Sequence, residues 1–163
     1  MARVEVITAG KHDSTHGVGE AIAQRLAAAG HEVEAADARE VREPPDGAIV
    51  LGSAIYMGRW RKPARNLAQR LAKESGRRPV WMFSVGPLGE PPEPEVPPLE
   101  QLVGPEAAAL ARDHRVFSGR LERESLGRLE RAAADAQKAP EGDFRDWEEI
   151  ESWAEGIAAE LQR

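Results

Sequence analysis

Short apolar runs alternate along this chain with stretches whose apolar residues recur at helical spacing. Val4 to Thr8, rich in β-branched side chains and closed by Ala9-Gly10, predicts a strand. Val18, Ile22, Leu26 and Ala29, with Ala21 on the same face, predict a helix that Ser14 or Thr15 caps and Gly30 stops. His31 to Ala36 reads as a second, less apolar strand, and Pro44-Pro45-Asp46-Gly47 as a turn. Ala48-Ile49-Val50-Leu51 is apolar throughout, the pattern of a strand buried on both faces. A helix follows from Pro63 to about Ser75, with Leu67, Ala68 and Leu71 inward and Gly76 at its end. Val80-Trp81-Met82-Phe83-Ser84 is another strand-length apolar run.

From Glu90 to Pro98 five of nine residues are Pro and three are Glu, which excludes helix and central strand and predicts an exposed loop. Leu99 to Arg112 is weakly helical, Arg115 to Ser118 a short strand, and Leu121 to Lys138 a charged helix. In the last element Ile150, Trp153, Ala154, Ile157, Ala158 and Leu161 form one stripe, and Asp146 with Glu149 has capping-box spacing. Strands alternating with helices give an α/β fold: a mostly parallel sheet covered on both faces. No internal repeat or boundary divides residues 1–163, so one domain is expected.

Composition narrows the chemistry. The chain has 28 acidic and 22 basic residues, a net charge of −6, which counts against non-specific nucleic-acid binding. With no cysteine there is no disulfide, thiolate metal site or cysteine nucleophile. No apolar run approaches the ~18–20 residues that span a bilayer, and Glu5 interrupts the only short apolar stretch at the N-terminus, so no signal peptide is read. A cytoplasmic protein is the expectation.

In open α/β sheets ligands bind outside the carboxyl ends of the strands, where the strand order reverses. The candidate segments are therefore Gly10-Lys11-His12-Asp13-Ser14-Thr15, then Gly52 to Trp60 (Ser53, Ala54, Ile55, Tyr56, Met57, Gly58, Arg59), then Ser84-Val85-Gly86-Pro87-Leu88-Gly89. The first has the parts of an anion cradle: unpaired N–H groups at a helix start, a favourable dipole and two hydroxyls. The same Ser14 and Thr15 serve equally well as plain helix caps. Neither a dinucleotide fingerprint nor a Walker loop is present. Tyr56 and Trp60 are placed to stack on a planar ring. His12 and His16, four apart beside Asp13, have zinc-protease spacing, but glycines bracket them and no amphipathic helix is read through them, so they are taken as loop histidines with no metal. Arg59, Arg61, Lys62, Arg65 and Arg70 form a basic patch, read as a solvated helix face or as a docking surface for an anionic partner, substrate carboxylates or a membrane surface.

These segments resemble the flavodoxin-like domain, in the branch that includes menaquinone-dependent protoporphyrinogen dehydrogenase. Gly52 to Trp60 with Lys62-Pro63-Ala64, Pro79 to Gly89, and Gly142-Asp143-Phe144-Arg145-Asp146-Trp147 carry the resemblance, which extends over nearly the whole chain. It implies a five-stranded parallel sheet in the order 2-1-3-4-5 holding FMN non-covalently. Residues 10–15 would wrap the phosphate, residues 53–58 would flank one side of the isoalloxazine with Tyr56 or Trp60 near its face, and residues 84–89 would border the other. The redox chemistry would be the flavin's, so no catalytic side chain is named, and the partner would be a redox protein or a small substrate.

The phosphate loop departs from the family wording at two positions. Gly10 stands where a hydroxyl residue is usual and Asp13 where glycine is usual, whereas Thr15 matches and Ser14 is compatible. A carboxylate about 5 Å from a phosphate charge costs on the order of 3 kcal/mol at an effective dielectric near 20, part of which Lys11 and His12 offset. The family enzymes that act on the tetrapyrrole carry an extra basic helical segment before the last helix; here Leu121 to Lys138 mixes acids and bases. Two functions follow: an FMN-dependent oxidoreductase or electron-transfer protein, or a flavodoxin-like module without FMN that acts by binding.

Overall fold

The computed structural model describes residues 1–10, 13–74, 78–86, 96–121, 142–143 and 145–163. Its elements in chain order are β1 (Arg3–Ala9), α1 (Asp13–Ala28), β2 (Glu32–Asp37), a 3₁₀ turn (Ala38–Glu40), β3 (Ala48–Tyr56), β4 (Arg59–Trp60), α2 (Lys62–Lys73) and β5 (Val80–Gly86). There follow α3 (Leu99–Val103), α4 (Pro105–Ala108), β6 (Ala111–Ser118), β7 (Arg120–Leu121), β8 (Gly142–Asp143) and α5 (Trp147–Leu161). The main sheet runs β2-β1-β3-β5-β6, all parallel, with β4 antiparallel against β3, while β7 and β8 pair separately. Leaving out the hairpin strand β4, this is the expected order 2-1-3-4-5 of a flavodoxin-like sandwich. The predicted charged helix over Leu121 to Lys138 lies, apart from Leu121, outside the described residues, as does most of the Pro/Glu loop.

Parallel strands are apolar on both faces because helices cover both. Val4 and Val6 of β1, Val50 of β3, and Trp81, Phe83 and Val85 of β5 turn to one side, where Val18, Ile22 and Leu26 of α1 and Ile150, Trp153 and Ile157 of α5 cover them. Ile7, Ile49, Leu51 and Met82 turn to the other, under Leu67 and Leu71 of α2, Leu102 and Val103 of α3, and Ala107 of α4. Phe83, Phe117 and Trp153 pack as three rings with centroids 5.6–6.1 Å apart, tying β5 and β6 to α5. At the start of α5 the Asp146 carboxylate accepts the Glu149 N–H at 3.1 Å, the cap its spacing predicts.

Three expectations change. Ser14 and Thr15 lie inside the first turn of α1, which opens at Asp13, and do not precede it as caps. The segment expected as a loop from Gly52 is strand as far as Tyr56; Met57 (φ 53°) and Gly58 (φ 77°) then turn the chain into β4. Positive φ at both central residues is what a two-residue hairpin of matching twist requires, and Gly58 supplies one without strain. The stretch from Leu99 holds two short helices split at Gly104-Pro105, and β6 begins at Ala111, ahead of the expected Arg115.

Candidate functional site

The strand order reverses at β1, which has β2 on one side and β3 on the other, and a crevice opens beyond its carboxyl end. β1 delivers Ala9 and Gly10 there, and α1 starts three residues later. The first N–H groups of a helix have no intrahelical acceptor, so α1 aims its first-turn donors and its positive dipole end at this rim. Ser14 and Thr15 of that turn are buried.

Tertiary contacts bring the other strand ends to the same place. A Cβ at Gly119, just after β6, would lie 2.6 Å from the Gly86 carbonyl oxygen and 3.0 Å from Ser14 Oγ, so the ends of β5 and β6 and the start of α1 converge on a contact that only glycine permits. On the β2 side the Thr8 hydroxyl and His16 Nδ1 are 2.6 Å apart, and His16 Nε2 is 3.6 Å from Asp37. Asp37 accepts from the Arg39 backbone N–H at 2.9 Å and from its guanidinium at 2.9 and 3.2 Å. Arg39 holds the Asp37 carboxyl below its usual range, so it stands ionised. His16 therefore belongs to a helix and a hydrogen-bonded chain, not to a loop, and no group of three or more potential metal ligands occurs among the described residues.

On the β3 side, Ser53 Oγ accepts the Arg61 backbone N–H and donates to the Ala54 carbonyl, both at 2.9 Å, fixing the approach to α2. The Trp60 indole N–H donates to Ser84 Oγ at 2.8 Å, and Ser84 Oγ lies 2.8 Å from His114 Nε2 on β6. Trp60 is 2% exposed and thus a core residue that fastens the hairpin to the sheet, whereas Tyr56 is 47% exposed at the hairpin tip. Burial lowers the His114 pKa, against the opposing pull of Asp113 and Glu100.

Between these elements lies a cavity of about 170 Å³ lined by Ala9, Gly10, Asp37, Arg39, Arg61 and Pro63. Two guanidinium groups against one carboxylate give the lining a net positive charge. Ser14, Thr15, Ser53, Ser84, Val85 and Gly86, all expected at the site, occupy this end of the sheet, with Ala54, Ile55, Tyr56, Met57 and Gly58 on β3 and its turn. Lys11 and His12, together with Pro87, Leu88 and Gly89, lie outside the described residues, and of Asp13 only its place as the first residue of α1 is described. The sequence reading missed the Thr8–His16–Asp37–Arg39 chain, Gly119 and His114. Thr8 and Asp37, each at the end of a strand, carried a signal; His114 carried none.

A three-layer sandwich with its crevice at the switch point is the α/β arrangement in which ligands are generally taken at the carboxyl edge of the sheet. The chain belongs to the flavodoxin domain family, whose model matches residues 6–146. Among solved structures it is similar to the flavodoxin of Streptococcus pneumoniae TIGR4, at 16% identity and a TM-score of 0.62, over 98% of this chain and 99% of that one. A flavodoxin from the domain Archaea matches at 10% identity and 0.62 over 99% of both chains. Rubredoxin oxygen:oxidoreductase of Desulfovibrio gigas matches at 13% identity and 0.60; the alignment covers 98% of this chain and 36% of that one. At these identities the likeness is one of fold. No curated protein matches the sequence.

Proposed function

We propose that the protein is an FMN-binding oxidoreductase or electron-transfer protein of the flavodoxin type, cytoplasmic, with a redox protein or small molecule as its partner. The observation that carries this reading is the meeting of the α1 first turn with the ends of β5 and β6 at Gly119, and of the hairpin with β5 through Trp60 and Ser84, at the sheet edge that also holds a cavity of net positive lining. The donor set suits a phosphorylated ring. The first-turn N–H groups of α1, Ser14 and Thr15 would hold the phosphate, and Arg39 and Arg61 supply positive charge beside it. Ser53 to Gly58 would flank the ring, with Tyr56 as the available aromatic face. A Cβ added at Gly86 meets no described atom within 4 Å, so backbone and open space border the other side. Bound FMN supplies electron or hydride transfer at its isoalloxazine; the chain's task is to bind, orient and tune, and no side chain is assigned an acid or base role.

A relation to protoporphyrinogen oxidation is the finer reading, supported by the wording of Gly52 to Ala64, Pro79 to Gly89 and Gly142 to Trp147. The second reading, a module without FMN, is favoured by Gly10 and by Asp13 at the first position of α1. Incubation with excess FMN followed by desalting separates the two. Visible flavin bands in stoichiometric amount on the protein support the first; a colourless protein with all flavin in the small-molecule fraction overturns it.

A further inference from the structure

Arg59, Arg61, Lys62 and Arg65 line one open groove of about 390 Å³ beside Tyr56 and Met57, and no carboxylate lines it. None of the four has an ion-pair partner among the described residues; Arg42, Arg70, Lys73 and Arg163 also have none but do not line the groove, whereas Arg3, Arg25, Arg39, Arg78, Arg112 and Arg115 each meet a carboxylate. Nor do these charges serve the helix that carries them. Lys62 and Arg65 stand in the first turn of α2, which holds no acid, and the helix dipole disfavours cations there. Without these four the chain has 18 basic residues against 28 acidic ones, a net −10, so the groove gathers four cations on an acidic molecule.

Its apolar content is also exposed. Met57 is 85% and Tyr56 47% exposed at the hairpin tip, and the Arg61 guanidinium lies 5.1 Å from the Tyr56 ring centroid. Tyr, Met and Arg are the residue types enriched at the centres of protein interfaces, with a charged rim around them. We propose that this face docks an acidic patch of a partner protein. An acidic surface is repelled by the net charge of the remainder of the chain and attracted to this groove, so charge favours one orientation of the encounter as well as its rate. Arg61 and Pro63 line both this groove and the crevice cavity, so the docked partner stands next to the candidate flavin site. That the partner exchanges electrons rests on the flavoprotein reading; the polarity of the surface does not.

The probe is a fluorescently labelled Asp/Glu-rich peptide, followed by anisotropy on the flavin-free full chain, so failure here is distinct from failure of FMN uptake. Wild type is expected to bind, with Kd rising by about tenfold between roughly 0.05 and 0.3 M salt. The exposed pair Arg59→Glu/Lys62→Glu should weaken binding by about tenfold or more, while the charge-matched pair Lys73→Glu/Arg163→Glu changes it by about twofold or less. No binding by wild type, or equal loss in both variants, overturns the proposal. So does binding to phosphatidylglycerol vesicles without binding to the peptide, or concentration-dependent self-association that the first pair abolishes. The salt series on wild type needs no variant and stands even if the reversals unfold the chain.

Discussion

Ser84 Oγ has one proton and two lone pairs and meets two neighbours, the buried Trp60 indole and the half-buried His114 imidazole. The Trp60 indole N–H occupies one lone pair, and with the other lone pair and its proton Ser84 Oγ accepts from or donates to His114 Nε2 according to the tautomer of that ring. Protonating His114 places a charge on a ring that burial shields from water. Its folded-state pKa is lowered from 6.5 by burial, so the unfolded chain binds the proton more readily. The stability this contributes is fully present above pH 6.5 and is lost as pH falls below it; urea midpoints measured across that range should decline, and a His114→Gln variant should flatten the decline. Ser84→Ala leaves the Trp60 N–H and the imidazole nitrogen without partners and should cost about 1–3 kcal/mol by the same measurement. Asp13 poses the opposite question, one of binding and not of stability. If its charge opposes the phosphate, Asp13→Gly should raise FMN affinity by about tenfold or more in a fluorescence titration, and unchanged affinity would clear it. Ser14, Thr15, Ser53 and Ser84 were legible in the sequence as hydroxyls directly after apolar runs. The pairing of Ser84 with a histidine 30 positions later was not, since only the parallel register of β5 and β6 creates it.

Elements whose own sequence closes their hydrogen bonds were the easiest to read. α5 is the example: a single apolar stripe behind an aspartate that accepts the Glu149 N–H. Asp146→Ala should therefore cost about 1 kcal/mol, visible as a lower urea midpoint with an unchanged slope. The β3–β4 hairpin was legible only as a glycine-containing ligand segment. Ser53 and Ala54 are weak strand formers, and they extend β3 because β5 pairs alongside as far as Ala54 and β4 pairs with Ile55 and Tyr56 beyond it. The first half of β6 was hidden for a related reason. It is an edge strand whose Arg112, Asp113 and Arg115 face outward, and such charges guard an unpaired edge while erasing the apolar signal of a strand. α1 was read correctly along its stripe of Val18, Ile22 and Leu26, but its start slipped, because Asp13, Ser14 and Thr15 are all residues that favour a cap.

At the scale of the molecule, two cores on opposite faces of one sheet hold three strand ends and a helix start in register. One tight point of that arrangement is Gly119. A methyl group there meets the Gly86 carbonyl oxygen and Ser14 Oγ, so Gly119→Ala should push the end of β5 and the first turn of α1 apart. The expected result is a loss of about 1–3 kcal/mol in a thermal melt, with weaker FMN uptake in the desalting assay. Apolar runs and helical stripes, which record burial residue by residue, were enough to specify an α/β layering, the faces of α1, α2 and α5, and the neighbourhood in which a ligand would sit. They were silent on which aromatic remains outside, on the Thr8–His16–Asp37–Arg39 chain, and on the unpaired cations of the groove. Those depend on which strand lies beside which and on where a turn reverses the backbone. Such relations join residues far apart along the chain, and they exist only once the sheet has assembled.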